Sequence, residues 1–204
     1  KARAKQRTFF NKQVEPNVCV LEPIAFTPDE IDFLLTRGDD QHAEAAFWNQ
    51  FENADTLGSL IQPPPALTAR LGAHLTQLDD GAGMFNADVI TRGMKVVQQA
   101  SYLLPRYHVA VANPPYMGGK SLSTPVKQRV ATRFPLAKAD LYSAFIQRCE
   151  QLVRPRGVVA MVTMQSWMFL SAFEKLRRKI INNNDIWTVA HLGANAFDSI
   201  GGEV

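Results

Sequence analysis

Four consecutive residues, Asn113-Pro114-Pro115-Tyr116, combine types that suit one kind of chemistry. Each proline fixes its own φ and pushes the residue before it into an extended conformation. The tetrapeptide is therefore stiff, and two successive positions carry no N–H. An exocyclic amine on a nucleobase, such as N6 of adenine, is a poor nucleophile because its lone pair is delocalised into the ring. Acceptors on both N–H bonds favour a tetrahedral nitrogen and localise the lone pair toward an incoming methyl group. The Asn113 side-chain oxygen and the Pro114 carbonyl have the chemistry for this task. Tyr116 can stack on a base held out of a duplex, and positioning supplies much of the remaining rate. Asn113, Pro114, Pro115 and Tyr116 are thus the catalytic candidates. The competing reading is a plain Pro-rich turn. The placement directly after a buried strand, with an aromatic fourth residue, favours catalysis.

That strand is His108-Val109-Ala110-Val111-Ala112, apolar along its length. A Gly-, Ser- and Lys-rich loop follows, from Met117 to about Pro125. Spacing predicts an amphipathic helix over 139–153, closed by Pro155 and Gly157, then a strand over 158–163. A basic helix over 172–182 and a last strand, 186–192, complete the order strand, helix, strand, helix, strand. Short strands that are apolar throughout are expected to be covered on both faces of a parallel sheet. Asn-Pro-Pro-Tyr then sits at the carboxyl edge, where ligands bind in open α/β folds.

Upstream, residues 1–10 read as the end of a basic helix with no starting cap. Asn17 to Leu21 reads as a buried strand. Thr27-Pro28-Asp29-Glu30 is a helix start, with a capping Thr and Pro at the first position. That helix ends near Gly38. Further helical patterns run over 41–51, 66–78 and 87–104, the last ended by Pro105. Residues 79–83 form a loop. Residues 51–60 resist assignment, and Pro63-Pro64-Pro65 must break any helix there.

Composition is that of an ordinary globular chain: 204 residues, 46% hydrophobic and 20% charged. No apolar run approaches the roughly 20 residues needed to span a bilayer. Cys19 and Cys149 lie in apolar segments and read as reduced core residues of a cytoplasmic protein. Together with four scattered histidines they do not supply a zinc site, and no metal is expected. The net charge of +3 is too small to prove nucleic-acid binding. Basic residues do cluster over 1–12 and at Arg177-Arg178-Lys179. Such knots can contact phosphates, although a solvated helix face explains them as well.

Asn113-Pro114-Pro115-Tyr116 matches motif IV of the amino-methyltransferases that use S-adenosylmethionine. The longer string from Asn113 to Lys120, with Asp140-Leu141-Tyr142 and Phe145, resembles the PglX adenine methyltransferases of BREX phage-defence systems. Residues 51–61 are similar to that family's motif III region. The resemblance spans most of the chain. It implies a site-specific DNA adenine-N6 methyltransferase that moves a methyl group from S-adenosylmethionine to a flipped adenine, marking self DNA in phage defence. Double-stranded DNA is the implied partner, with other defence subunits beside it and no membrane. Asp55 is the implied acceptor for the exocyclic amine of the cofactor adenine, though it serves equally as a cap ahead of Leu57. Asp140, Leu141, Tyr142 and Phe145 match motif V, which lines the cofactor and base pockets. By spacing alone, Tyr142 and Phe145 are equally good core residues. Phe197 is a second candidate for base stacking.

The family's cofactor fingerprint, a Gly-rich turn after a first strand, is not found. Gly81-Ala82-Gly83 follows a helix, and Gly201-Gly202 lies at the wrong end. The expected fold is therefore α/β: a partial Rossmann-like methyltransferase fold, a parallel sheet flanked by helices with its first two strands missing. A helical insertion spans 27–105 between strands, and 106–204 forms the catalytic half. The remainder of a longer polypeptide is expected to complete the sheet, and the isolated chain is expected to be inactive. Two alternatives remain: a methyltransferase acting on protein glutamine or RNA amines, and a non-catalytic DNA-binding or assembly subunit that keeps the fold.

Overall fold

A computed structural model describes residues 16–36, 40–79, 86–105 and 107–193. Five helices come first: α1 (Pro28–Leu34), α2 (Gln41–Asn49), α3 (Ala54–Leu57), α4 (Pro65–Asp79) and α5 (Ala87–Tyr102). Strand β1 (Tyr107–Ala112) follows, then α6 (Thr124–Arg133), α7 (Leu141–Leu152), β2 (Val153–Met161) and α8 (Glu174–Asn183). Single 3-10 turns at Gly58–Leu60, Pro135–Ala137, Gln165–Met168 and Ser171–Phe173 punctuate the chain.

Local chemistry explains where the helices start. Thr27 and Glu30 form a reciprocal capping box, Glu30 N donating to Thr27 Oγ1 at 3.3 Å and Thr27 N to Glu30 Oε2 at 2.8 Å. Asp40 caps α2 by accepting from Ala43 N at 3.1 Å. In α5 the buried residues Val89, Ile90, Gly93, Val96 and Ala100 fall on one face. A Cβ at Gly93 would come within 3.2 Å of Leu75, so glycine lets α4 and α5 approach closely. Trp48 and Phe47 meet edge to face at 5.1 Å and anchor the main core with Phe51, Leu34 and Leu71. The unassigned stretch 51–60 is α3 plus one 3-10 turn.

β1 and β2 pair in parallel, with Val109 opposite Val158 and Ala112 opposite Met161. Val162 N extends the ladder to Ala112 O at 3.1 Å. β2 begins earlier than its apolar run, because Arg154 to Gly157 enter the strand as an irregularity. Arg156 takes a positive φ of 64°, and a Cβ on Gly157 would sit 2.6 Å from Val153 Cβ. Only glycine lets the strand pass there.

Two expected strands are corrected. Residues 17–21 form no ladder; Val18 and Val20 are exposed, and the chain runs over helices instead. Glu22 N donates to the Gln99 side chain at 3.0 Å and Ile24 N to Phe51 O at 3.0 Å, so backbone groups near this run are taken up locally. Residues 186–192 are also without a ladder, and Ile186, Trp187, Val189 and Leu192 are exposed. The sheet among the described residues therefore has two strands, and its apolar residues are not covered on both faces: Val109 and Val111 are exposed. No further described strand lies beside them. Cys149 is buried as expected, whereas Cys19 is only partly buried and lies outside the core. Residues 1–15, Gly38, the Gly81–Gly83 turn, Phe197 and Gly201-Gly202 lie outside the described residues.

Candidate functional site

Because β1 and β2 are parallel, their carboxyl ends face the same way. Asn113-Pro114-Pro115-Tyr116 leaves β1 there, and Thr163 to Phe173 leaves β2 beside it. Asn113 is exposed and Pro114 is buried. No described residue donates to the Pro114 carbonyl. The Tyr116 hydroxyl approaches Asn113 Oδ1 at 3.5 Å, at the outer limit of a hydrogen bond.

Tyr116 is held from below. Its ring meets Tyr142 edge to face, with centroids 6.1 Å apart and planes at 89°. Tyr142 is fully buried and packs on Phe173 at 5.8 Å. Its hydroxyl bonds Ser166 Oγ at 2.9 Å. Burial pushes the Tyr142 phenol up to about 12, with the Asp140 carboxylate adding to the rise and the Ser166 bond opposing it. Tyr116 is shifted up too, by burial. Both rings are neutral near pH 7 and serve as apolar platforms. Ile146, Leu176 and Ile180 complete this second core, separate from the helical one.

The loop's exit is tied down by Asp140. Its Oδ1 accepts from Met117 N at 3.0 Å and from Tyr142 N at 3.2 Å, capping α7 and latching the chain just after Tyr116. Leu141 N donates to Met117 O at 2.9 Å and Gly119 N to Ala139 O at 3.0 Å, closing a short antiparallel contact. A Cβ on Gly119 would stand 2.5 Å from Lys138 O, which makes glycine obligatory for that approach.

Asp140 and Tyr142 thus meet the Asn113–Tyr116 loop directly. Phe145, one turn on, packs against the main core instead. Asp55 is exposed on α3, and its carboxylate accepts from Thr56 N at 2.7 Å. None of its described contacts reaches the loop. The knot Arg177-Arg178-Lys179 is engaged within the protein. Arg177 donates to Trp167 O at 2.8 Å and Leu170 O at 2.7 Å, while Arg178 and Lys179 pair with Glu174 and Glu150.

Sequence reasoning missed the loop after β2. Trp167 Nε1 donates to Thr163 Oγ1 at 3.2 Å, and Arg177 ties the loop to α8. Met164, Gln165, Ser166, Phe169 and Leu170 line an open recess there. The aromatic residues Trp167 and Phe169 directly after an apolar strand were the available signal.

Methyl transfer needs a place for the acceptor amine and a place for the methyl donor. Asn113 and Pro114 present acceptors suited to an amine, beside a supported aromatic ring. A purine and ribose on the methyl donor would need a deep cradle with a carboxylate for the ribose hydroxyls. The recess is open, and no carboxylate lines it. This recess is not that cradle.

Residues 68–197 match the Eco57I restriction-modification methylase family. The chain is 43% identical over 157 residues to the adenine-specific methyltransferase BrxX of Escherichia coli O9:H4 (strain HS), covering 76% of this chain and 13% of that protein. It is 38% identical over 109 residues to the adenine-specific methyltransferase PglX of Lacticaseibacillus casei (strain Zhang), covering 53% of this chain and 9% of that protein. Over 84 residues it is 30% identical to the type II methyltransferase M.BanIII of Aneurinibacillus aneurinilyticus, covering 41% of this chain and 14% of that protein. The chain thus spans a small share of the curated relatives it matches.

Proposed function

This chain belongs to the Eco57I restriction-modification methylase family, and from that premise we propose that it carries the catalytic loop of an enzyme that methylates N6 of adenine in DNA. The observation that carries the reading is the pair of acceptors, Asn113 Oδ1 and the Pro114 carbonyl, at the carboxyl end of a parallel strand and beside the supported Tyr116 ring. Both N–H bonds of a flipped adenine amine are accepted there, which localises the nitrogen lone pair. Tyr116 stacks on the base, and Tyr142 keeps Tyr116 from yielding. The proton lost from nitrogen leaves by way of Asn113, which is exposed to water.

S-adenosylmethionine is the methyl donor in this reading; family membership supports it, and it supplies an electrophilic methyl carbon. Asp140 is the better supported of the two carboxylates expected at the donor. It adjoins the loop, and Oδ2 is left free by the two bonds that Oδ1 accepts. Asp55 and Phe197 enter through the resemblance alone. A cytoplasmic role in marking self DNA, with other phage-defence subunits as partners, follows from the likeness to the BREX family. Among the described residues no helix is long and apolar enough to cross a membrane.

The test is methyl transfer by the complete polypeptide, followed by nucleoside analysis of the product. N6-methyladenine is expected in DNA, and Asn113→Ala should lower kcat by roughly 10²–10³-fold with little change in the KM for DNA. Methyl groups found on protein, RNA or another base sink the reading. Tight DNA binding without any transfer would favour a non-catalytic subunit.

A further inference from the structure

A long stretch without acidic residues, from Val89 to Ala139, runs through the Asn113–Tyr116 loop. From Met117 to Ala139 the sequence holds Lys120, Lys127, Arg129, Arg133 and Lys138 and no acidic residue. Arg129 and Arg133 are four apart on α6 and so share a face of that helix. Together they line a groove against the end of α2 and against α3. Its other polar walls are neutral: Asn49, Gln50, Asn53, Gln128 and Thr132.

Neither arginine has a carboxylate partner among the described residues. Glu52 and Asp55 lie close in sequence to the wall residue Asn53 but do not line the groove, and Asp55 is engaged with Thr56. The charges felt by Arg129 are those of other cations. Burial disfavours its charged form, and Arg133 adds to that. Arg148 lies close enough that Arg129 disfavours its charge too. Arg148 is satisfied by three backbone carbonyls, those of Ser59, Ile61 and Leu103. Among the described residues Arg129 and Arg133 have no such partners. Packed cations without counter-charge are costly unless an anion joins them.

We propose that the groove between α6 and the α2–α3 wall binds a phosphodiester of the DNA backbone through Arg129 and Arg133. The geometry fits a phosphate better than a carboxylate-bearing metabolite. Two guanidinium forks face a groove that runs along a helix, and amide side chains around them can donate to further phosphate oxygens. The knot on α8 lacks these features, because its cations are already paired. The inference rests on the DNA-methylation reading for its choice of polymer and places one strand of that DNA on the α6 side of the catalytic loop.

The 204-residue chain is titrated with a short fluorescent duplex, without methyl donor, between roughly 50 and 200 mM salt. Arg129→Gln with Arg133→Gln should weaken binding and flatten the slope of log Kd against log salt by about 1 for each phosphate that the variant no longer neutralises. Lys175→Gln with Arg178→Gln removes the same charge from α8 and should leave the slope unchanged. An unchanged slope in the α6 variant overturns the proposal. So does an equal fall in the α8 variant, or salt-independent binding by the parent chain. Arg133 is exposed, so Arg133→Gln alone keeps the test sound if the double variant fails to fold, and it must flatten the slope by about 1. The assay reads no methylation. An enzyme with another target base would still show the effect, so the two readings fail separately.

Discussion

The helices ahead of the sheet and the sheet itself treat the same residue types in opposite ways. Leu34, Phe51, Ile61, Leu71 and Val96 are all 0% exposed, whereas Val109 is 52% and Val111 78% exposed. The first set lies in or beside helical patterns, the second in a strand that reads as apolar throughout. The difference lies in partners. The long helices α4 and α5 find complementary faces on each other, approaching closely at Gly72 and Gly93. A strand needs neighbours at both edges and a layer on each face. Among the described residues β1 has one edge partner, β2. An apolar run states a demand for burial; only the surrounding topology determines whether that demand is met.

This contrast can be broken most directly at Trp48. It is fully buried, and its ring meets both Phe26 and Phe47 edge to face. Trp48→Ala should cost about 3–5 kcal/mol, read as a fall in the urea midpoint with an unchanged m-value. A loss below about 1 kcal/mol would mean that the helical core is as open as the sheet.

Arg148 sharpens the comparison because it joins the two regions. From α7 it donates to carbonyls of Ser59 and Ile61 in the helical part and of Leu103 just before β1. Burial lowers its guanidinium to about 10, a further sign of a cation held out of water. Arg148→Met fills the volume but leaves three acceptors unpaired. The expected loss is on the order of 3 kcal/mol. Hydrogen exchange should show the Leu103–Ala112 segment opening before α4. Uniform loosening of all helices would argue that the residue fills space rather than joins elements.

A smaller effect is expected at the loop. Asp140→Asn keeps one acceptor on the α7 cap but removes the charge that favours the helix N-terminus and the Met117 contact. Stability should fall by about 0.5–1 kcal/mol, whereas exchange at Met117 and Gly119 should rise more than exchange in α7. Equal changes in both would show that Asp140 is a cap and no latch.

How much was legible in the sequence follows the same division. The Thr27 capping box, α4, α5 and β1 were readable because their signals are local: a cap, a stripe, a short apolar run. The Asn113–Tyr116 loop was readable for the same reason, since its stiffness and placement lie within ten residues of chain. Strands at 17–21 and 186–192 were misread because an apolar run carries no information about a neighbour. α6 was missed although Ser123-Thr124-Pro125 marks a helix start; only Val126 and Val130 of its residues are buried. Ser166 and Arg148 were invisible because their partners lie 24 and up to 89 residues away.

The smallest expected effect is the most discriminating. Val111 is exposed near the carboxyl end of β1, two residues before Asn113, and pairs through its backbone with Ala160. Val111→Thr keeps the β-branched shape and the strand propensity while replacing a methyl group by a hydroxyl. In a closed core that change buries a hydroxyl without a partner and costs about 1–3 kcal/mol. In this chain water already reaches the site, so the unfolding midpoint should move by less than about 0.5 kcal/mol. The same substitution in the complete polypeptide then asks whether the exposed face is covered there. A cost above about 1 kcal/mol in that context, with none in the chain alone, would place a covering layer on β1. A near-zero cost in both would mean that β1 keeps one face wet, and that Asn113 is positioned by the proline pair and the Asp140 latch without help from a packed sheet.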